Sequence, residues 1–353
     1  MKPEISVVIC IYNGEKTLEA SITSLINQDY SKDKYEIILM DDGSNDHCSK
    51  ICERIIEERK KQLPIIKYGY QSNKGLAIAR NVGISLSSGN IVAFIDQDAV
   101  AKSDWLTQLI KPFLYNGADI VGGKVELLNK NSRVAVFSQI TKHVQSFKSG
   151  QYYNTFVGCN MAFKKSIFYE SGGFYKNFTS LGDESSLLER IKDHYKYIPV
   201  SDAVVYHERS EKLSEFINTE WRVAILNGLT RKDFSRKLVL KFIYTMIEDI
   251  LIILVPLMLV VADDIYIPLI LLVSFFVFIR RLFIRPISRL IFSNLKLHYG
   301  ILKGLGAHIL YLYCSSILTL TGLIIGYFKY YNIDLIPSRI NNNVKIENYK
   351  SNE

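Results

Sequence analysis

The chain has 353 residues, of which 48% are hydrophobic, and its 43 Lys+Arg against 35 Asp+Glu give a formal net charge of +8. This composition excludes an intrinsically disordered chain, a collagen-like rod and a disulfide-stapled mini-domain. The mean hydropathy of +0.09 is above that expected of a wholly soluble globular protein. Five scattered cysteines, an odd number, favour free thiols in a reducing compartment.

The first hundred residues alternate short apolar runs with helical patterns. Strands are predicted at 5–12, 35–40, 65–70 and 91–95. Helices are predicted at 16–28, at 76–86 and in the charged stretch that ends at residue 61. Repeated strand–helix–strand units indicate an α/β fold with a mostly parallel sheet. Such sheets bind ligands at the carboxyl ends of their strands, and the polar clusters of this sequence lie there.

Residues 118–206 are less regular and are interpreted as the second half of the same domain. Strands are predicted at 120–127, 155–163 and 197–205, and a helix at 185–194. The sequence therefore predicts one N-terminal domain over residues 1–235.

Residues 238–328 hold almost no acid and predict an α-helical membrane region, followed by a polar tail at 329–353. A membrane-spanning helix needs about 20 apolar residues. Helices are predicted at 240–262, 265–281 and 307–328, with an amphipathic basic segment at 282–304. Buried core helices are the alternative for these apolar runs, and the number of true spans, two or three, stays open.

Lys and Arg residues cluster before the first predicted span and again in the segment 282–304. The positive-inside rule places both clusters in the cytoplasm. The sequence thus predicts a multi-pass protein of the cell membrane whose N-terminal domain is cytoplasmic and whose partners include the bilayer. An anionic bilayer surface accounts for much of the positive charge, so no nucleic-acid partner is predicted.

Acidic residues follow two of the predicted strands. Asp96 and Asp98 flank Gln97 directly after the strand at 91–95, and two such carboxylates can hold a hard divalent cation that in turn holds phosphate oxygens. A D-x-D triplet alone is weak, because it also occurs in many surface turns. Asp41 opens the turn Asp41-Asp42-Gly43-Ser44, which either caps the next helix or places Asp41 on the base or ribose of a nucleotide.

Basic and acidic groups elsewhere extend this pattern. Asn73-Lys74-Gly75 and Arg80 could approach a pyrophosphate, or form an ordinary turn and a solvated helix. No dinucleotide-binding glycine motif and no P-loop motif occurs, which argues against dinucleotide oxidoreductases and P-loop NTPases. Asp183 and Glu184 open a helix, where the dipole favours acids and where a general base could lie. His207 is either a third metal ligand or a structural histidine.

Taken together, the motifs resemble the inverting family 2 glycosyltransferases of the GT-A fold, over about residues 4–210. The segments that carry the resemblance are VVICIYNGEKTLEASITSLINQ, MDDGSND, NKGLAIARNVGI, FIDQDA, VGCNMAF and LGDESSLLERI. The resemblance implies a GT-A (Rossmann-like) catalytic domain, a nucleotide-sugar donor and Mn²⁺ or Mg²⁺. It also implies three metal ligands, namely Asp96, Asp98 and His207. The donor-binding residues that it implies are Tyr12, Asn13, Glu15, Asp41, Asn73, Lys74, Arg80 and Asp96.

The same resemblance places Gly158-Cys159-Asn160 around the donor sugar and the acceptor. It places Glu184 where the family usually has the aspartate of a Glu-Asp pair, and because the order here is Asp183-Glu184, either residue could be the base. The processive synthases carry Gln-x-x-Arg-Trp after the catalytic domain, and Thr219-Glu220-Trp221-Arg222 does not fit that motif. A single-addition enzyme is therefore favoured.

The sequence thus predicts a membrane-anchored transferase of polysaccharide or glycolipid biosynthesis. It would move a sugar from a UDP- or GDP-linked donor to a lipid-linked or glycan acceptor, with inversion and with a metal ion. Two alternatives from other classes are a non-catalytic membrane scaffold that binds nucleotide or glycan, and a membrane nucleotidyltransferase. The intact acidic residues argue against the first, and the small number of basic residues near the predicted site argues against the second.

Overall fold

The structure is a computed structural model, and it describes residues 3–142, 157–177, 182–230, 325 and 348–352. The strands in these ranges are β1 (Ile5–Ile11), β2 (Tyr35–Asp41), β3 (Ile65–Tyr70), β4 (Ile91–Asp96), β5 (Ala99–Ala101), β6 (Ile120–Leu127), β7 (Met161–Lys164), β8 (Tyr197–His207) and β9 (Asn348–Ser351). The helices are α1 (Leu18–Ile26), α2 (Cys48–Glu58), α3 (Leu76–Leu86), α4 (Trp105–Tyr115), α5 (Arg133–Lys142), α6 (Ser166–Ser171), α7 (Asp183–Ile191) and α8 (Leu213–Thr230).

The nine strands form one sheet in the order β5-β8-β6-β7-β4-β1-β2-β3-β9. Strand β1 pairs in parallel with β2 and β4, and β2 pairs in parallel with β3. Strand β7 is antiparallel to both β4 and β6, and β9 is antiparallel to β3. The predicted α/β fold with a mostly parallel sheet is confirmed. The apolar runs at β1 and β2 are buried nearly throughout, as expected of strands covered on both faces.

The elements of the first hundred residues lie close to their predicted positions. Later elements differ more from the prediction. The strand predicted at 155–163 begins only at Met161, because residues 157–160 form a turn in the described part of that segment. Helix α7 begins at Asp183, two residues before the predicted start, so both acids belong to its first turn.

The chain divides into two compact units. The first comprises residues 1–130, 145–209 and 334–353 and holds the whole sheet, including β9. The second comprises residues 131–144 and 210–333, of which α5 and α8 are described. In the second unit the rings of Phe137 and Phe216 pack edge to face, with centroids 5.8 Å apart. Every residue predicted to form the functional site lies in the first unit.

The prediction of a multi-pass membrane protein is contradicted. No helix in the described part of the chain is both long enough and apolar enough to cross a bilayer. The longest, α8, has 18 residues and carries Glu215, Glu220 and Arg222, whereas a span needs about 20 apolar residues. The predicted helices at 240–262, 265–281 and 307–328 and the basic segment at 282–304 lie outside the described residues.

A buried ion pair ties together the amino ends of the parallel strands. Glu36 of β2 lies 2.8 Å from the ammonium group of Lys67 on β3, through Oε2. Its other oxygen accepts hydrogen bonds from the Ser6 hydroxyl at 2.6 Å and from the backbone N–H of Ser88. The Lys67 ammonium also donates to the Ser88 hydroxyl at 2.8 Å. This set of four residues is called the Glu36 network below, and each charge in it has a partner.

The edge of the sheet beyond β3 is covered by β9. Asn352, which follows β9, is buried, and its side-chain oxygen accepts a hydrogen bond from the backbone N–H of Ile66 at 2.7 Å. Its amide group donates to the carbonyl of Gln62 at 2.9 Å. The sequence predicted only a polar tail here, because β9 is short and polar and pairs with a strand far away in the chain.

Candidate active site

The fold brings the predicted acidic residues together at the carboxyl ends of the parallel strands. Asp96 ends β4, Asp98 lies two residues later, and His207 ends β8. Asp183 and Glu184 are the first two residues of α7. Arg80 of α3 connects the two groups, because its guanidinium lies near Asp96 as well as Asp183 and Glu184. These six side chains are called the acidic cluster below.

His207 faces both carboxylates of the D-x-D triplet. Its Nε2 lies 3.4 Å from Oδ2 of Asp96 and 3.3 Å from Oδ1 of Asp98. Its Nδ1 lies 2.5 Å from the carbonyl oxygen of Glu208. A carbonyl only accepts, so Nδ1 donates to it, and Nε2 is the ring nitrogen that faces the two carboxylates. Two carboxylates that lie beside one imidazole nitrogen are ligand types that suit a divalent cation, and the residues present therefore fit Mn²⁺ or Mg²⁺.

The pKa values of the two aspartates are shifted in opposite directions. Burial tends to raise the pKa of Asp96, but the hydrogen bond with His207 and the charge of Arg80 outweigh it and lower that pKa. The pKa of Asp98 is raised, first by burial and then by the neighbouring Asp96 charge, against the effect of His207. Their side chains are nevertheless 37% and 40% exposed, so a cation can reach them from solvent.

Cys159 lies beside these groups and was not predicted as a ligand. Its sulfur, a carboxylate oxygen of Asp96 and a ring nitrogen of His207 all lie within 4.8 Å of one another. The thiol is buried, and burial raises its pKa. Cys159 is far from both partners in sequence, so only its place in a motif around the donor sugar could have pointed to this position.

Arg80 is buried, with 4% of its side chain exposed. Its Nη1 donates to Oδ2 of Asp183 at 2.6 Å and lies 3.5 Å from Glu184, and its Nη2 lies 3.7 Å from Asp96. The guanidinium also lies over the ring of Phe174, 5.5 Å from its centroid. The sequence predicted Arg80 near a pyrophosphate, whereas in the structure its guanidinium is directed at three carboxylates.

Asp183 and Glu184 are adjacent but differ in their surroundings. The side chain of Asp183 is completely buried and paired with Arg80. The side chain of Glu184 is 22% exposed, and burial together with the Asp183 charge raises its pKa, against the opposing charge of Arg80. Glu184 is therefore the acid of this pair that solvent can reach and whose proton affinity is increased, as a general base requires.

The turns after β1 and β2 carry the residues predicted to bind a nucleoside. Asn13, in the first turn, has a positive φ of 51°. Its side-chain oxygen links the two turns, because it accepts a hydrogen bond from the backbone N–H of Asn45 at 2.8 Å. The carboxylate of Glu15 lies 2.7 Å from Nδ1 of His47, and this hydrogen bond lowers the pKa of Glu15. Tyr12 is 46% exposed, and its backbone is bonded in both directions to the Gln97 side chain.

The buried carboxylates of Asp41 and Asp42 hydrogen-bond to the turns that follow β2 and β3. Asp41 is fully buried and accepts from the backbone of Ser44 at 2.8 Å and from the Tyr68 hydroxyl at 3.0 Å. Asp42 accepts from the backbone N–H groups of Lys74 and Gly75 at 2.9 and 2.8 Å, and so fixes the turn that contains Asn73. The sequence analysis did not assign a role to Asp42. Asn73 and Lys74 themselves are exposed.

Asn160 organises the strands behind the cluster. Its side-chain oxygen accepts from the Trp105 indole at 2.8 Å, and its amide group donates to the carbonyls of Lys124 and Ala203 at 2.8 and 2.9 Å. These carbonyls lie where the β6–β8 pairing changes register, after Gly123. The neighbouring Gly158 allows Arg80 to come close, because a side chain at this position would begin 2.5 Å from Nη2.

Comparisons with known proteins find similarity to glycosyltransferases. Residues 6–172 match the model of the family Glycosyl transferase family 2. Glycosyltransferase AglE of Haloferax volcanii is 26% identical over 223 residues, which cover 63% of this chain and 72% of the relative. An Escherichia coli protein named UDP-Glc:alpha-D-GlcNAc-diphosphoundecaprenol beta-1,3-glucosyltransferase WfgD is 31% identical over 133 residues, covering 38% of this chain and 50% of the relative.

The fold is also found in solved structures. The mannosyltransferase PcManGT from Pyrobaculum calidifontis, in complex with GDP-Man and Mn²⁺, aligns with a TM-score of 0.55 over 94% of this chain and 88% of that one. The two sequences are 17% identical, so this similarity concerns the fold, which is the α/β GT-A-like fold predicted from the sequence. The fold and the matches identify this chain as a glycosyltransferase. More specifically, residues 6–172 are similar to the domain of Glycosyl transferase family 2.

Proposed function

We propose that this glycosyltransferase moves a sugar from a UDP- or GDP-linked donor to a lipid-linked or glycan acceptor, in a single metal-dependent displacement that inverts the anomeric centre. The observation that carries the proposal is the acidic cluster, in which the D-x-D triplet and His207 lie on one side of Arg80 and Glu184 lies on the other. The proposed metal ligands and the proposed base therefore both lie next to the buried guanidinium of Arg80. The proposed catalytic domain is residues 1–235.

Asp96, Asp98 and His207 would hold Mn²⁺ or Mg²⁺, which when bound would offset the charge of the leaving nucleoside diphosphate. Hard oxygen ligands suit both ions. PcManGT, whose structure is a complex with GDP-Man and Mn²⁺, has a similar fold, which supports this choice of donor and ion. The residues proposed to form the nucleotide-sugar site, by direct contact or by positioning, are Tyr12, Asn13, Glu15, Asp41, Asn73, Lys74, Arg80 and Asp96.

The residues of the nucleotide site differ in how they would act. Exposed side chains such as Tyr12, Asn73 and Lys74 are available for direct contacts with the donor. Asp41 is bonded to the backbone and to Tyr68, so it would act by holding the turn that carries Ser44. Arg80 would act by positioning, because its guanidinium holds Asp183 and Glu184 next to Asp96.

Glu184 is the proposed general base. It would accept the proton of an acceptor hydroxyl while that oxygen attacks the anomeric carbon from the face opposite the leaving diphosphate. Its exposure and raised pKa support this role, whereas Asp183 is fully buried and paired with Arg80. An acceptor phosphate is already ionised and would need no base, so the proposed role of Glu184 implies a hydroxyl acceptor.

The proposed class of acceptor is inferred from the name of a relative. The name of WfgD describes a sugar acceptor linked through a diphosphate to undecaprenol, and the matched region spans half of that protein. We extend this acceptor class to the present chain, together with the single addition that the missing Gln-x-x-Arg-Trp motif favours.

The test is nucleotide release by the purified full chain from a panel of UDP- and GDP-sugars, with Mn²⁺ and a polyprenyl-diphosphate-linked sugar. The expected result is metal-dependent release from one donor that falls about a hundredfold in Asp98→Asn, a change that removes one charged metal ligand. Asp33→Asn is the matched control, because Asp33 lies just before β2, at the opposite end of the sheet. Equal turnover in Asp98→Asn and wild type would overturn the proposed metal site. The absence of any donor that binds would overturn the proposed function.

A further inference from the structure

Cys159 gives the metal-binding half of the acidic cluster a second set of ligands. The first set, proposed above for the hard cations Mn²⁺ and Mg²⁺, consists of Asp96, Asp98 and His207. The alternative set shares Asp96 and His207 with it but uses a sulfur instead of the Asp98 oxygen, and its three ligand atoms lie within 4.8 Å of one another. No family motif named above requires a cysteine at this position.

The spacing of the alternative set is close to that of a bound cation. Three atoms no more than 4.8 Å apart have a common point within about 2.8 Å of each, whereas zinc bonds to oxygen, nitrogen and sulfur measure about 2.0–2.3 Å. Shifts of about 0.5 Å for the sulfur and at most about 0.8 Å for the oxygen and nitrogen would therefore bring all three atoms into bonding distance. Asp96 is 37% exposed, which gives a cation a path to the two buried ligands.

The chemistry of the two sets differs. Oxygen-rich sets favour Mg²⁺ and Mn²⁺, whereas a thiolate favours Zn²⁺ and other thiophilic cations. Nε2 is the ring nitrogen of His207 that faces this centre, because Nδ1 is bonded to the Glu208 carbonyl, and imidazole is a common ligand of both classes of cation.

We propose that Asp96, Cys159 and His207 form a binding site for a thiophilic divalent cation of the Zn²⁺ type, which excludes the hard cation from the same centre. On binding, the Cys159 thiol gives its proton to solvent and the sulfur bonds to the metal, with no change of oxidation state. Both cations need Asp96 and His207, so they compete. If the proposed function is correct, a thiophilic cation therefore inhibits sugar transfer.

The other described thiols provide controls. Cys48 and Cys52 are buried four residues apart on α2, and the backbone N–H of Gly14 donates to the Cys48 sulfur at 3.2 Å. Cys10 lies on β1 opposite Asp96 in the strand pairing. Cys52 matches Cys159 in burial and in residue type, and it lies outside the acidic cluster.

The first experiment titrates the metal-free full chain with Co²⁺, a spectroscopic substitute for Zn²⁺, and records the near-ultraviolet thiolate-to-metal charge-transfer band. The expected result is a band that saturates at one equivalent in wild type and in Cys52→Ser and is absent in Cys159→Ser. No band in wild type would overturn the inference without the need for any variant. A band that persists in Cys159→Ser and is lost in Cys52→Ser would also overturn it, because the α2 thiols would then be the ligands.

The second experiment follows the release of bound Mn²⁺ by electron paramagnetic resonance as Zn²⁺ is added. We expect Cys159→Ser to weaken Zn²⁺ by about tenfold or more relative to Mn²⁺, since only the soft ligand is lost. Cys159→Ala serves if the serine variant does not fold, as judged by thermal unfolding. Unchanged competition in a folded variant would overturn the inference. Mn²⁺ binding without a thiolate band would overturn this inference alone, whereas failure to bind Mn²⁺ would count against the proposed function.

Discussion

Two groups of charged side chains lie at opposite ends of the same parallel strands. At the amino ends, the Glu36 network pairs one buried carboxylate with one ammonium, and hydroxyl and backbone groups of Ser6 and Ser88 supply further hydrogen bonds. At the carboxyl ends, the acidic cluster gathers four carboxylates, and the guanidinium charges that act on its D-x-D acids are those of Arg80 and Arg209.

The difference lies in the balance of charge. A buried ion pair whose charges are balanced contributes mainly to the fold, and it becomes costly only when one partner is removed. An excess of buried or half-buried carboxylates is costly until a cation or a proton offsets it. The acidic cluster therefore favours the binding of protons or of a cation, whereas the Glu36 network has no such excess of negative charge. Four predictions test this contrast.

The largest effect is expected for Glu184→Gln. Loss of a general base lowers turnover by about 10²–10⁴-fold, because the acceptor proton has no group to receive it. The unfolding temperature should not fall, since the change removes a carboxylate from beside Asp183. Steady-state turnover and thermal unfolding measure the two effects. The control is Glu189→Gln on the same helix, where Glu189 pairs with Lys192 at 2.5 Å. Turnover within threefold of wild type would exclude Glu184 as the base.

Glu36→Gln should have the opposite effects, that is, a lower stability and an unchanged turnover. It leaves the buried Lys67 ammonium without its counter-charge, so the free energy of unfolding should fall by about 3 kcal/mol. Turnover per folded molecule should not change, because no member of the Glu36 network contacts the acidic cluster among the described contacts. Urea unfolding gives the first value. The double change Glu36→Met with Lys67→Met should recover much of the loss, and a double variant less stable than Glu36→Gln would contradict this explanation.

A smaller effect concerns the pH dependence of stability. The folded-state pKa of Glu184 is raised by burial, so its protonated form stabilises the fold at low pH, and this contribution is lost as the pH rises through the raised pKa. In metal-free buffer, the unfolding temperature of wild type minus that of Glu184→Gln should therefore decrease from about pH 5 to about pH 8. A difference that increases over this range would mean that the pKa is lowered instead.

The smallest effect is expected at an exposed ion pair. Arg54 lies 2.8 Å from Glu19, but both side chains are about half exposed. Arg54→Gln should therefore change the free energy of unfolding by less than about 0.5 kcal/mol, with turnover unchanged. Urea unfolding and the transfer assay measure both. A loss of stability as large as that of Glu36→Gln would show that burial does not explain the difference in stability between the Arg54–Glu19 and Lys67–Glu36 ion pairs.

The sequence was sufficient for the parts of the fold that depend on local patterns. Apolar runs and helical spacing predicted β1 to β4 and α1 to α3, and the position of Asp96 at the end of a predicted strand placed it at the carboxyl edge of the sheet. The acids of α7 were recognised as a pair, but only burial distinguishes Asp183 from Glu184. Sequence spacing carries no information about burial of two adjacent acids at a helix start.

What the sequence did not reveal depends on distant contacts. Cys159 meets Asp96 and His207 only after three strands are assembled, and Arg80 turns toward carboxylates that lie far along the chain. Asp42 accepts hydrogen bonds from backbone N–H groups of a turn about 30 residues further along the chain. Apolar composition also predicted a membrane protein, and the described helices, with α8 the longest, do not support it.

The pairing of β9 with β3 has a consequence for the order of events during synthesis. Tyr70 and Asn348 are neighbours in the sheet, yet most of the chain is translated between them. While a ribosome is still making the intervening residues, the hydrogen-bonding groups along the outer side of β3 have no strand to bind. Open strand edges promote association between chains, so the nascent protein carries this exposure until Asn352 has been added and has bonded to Ile66.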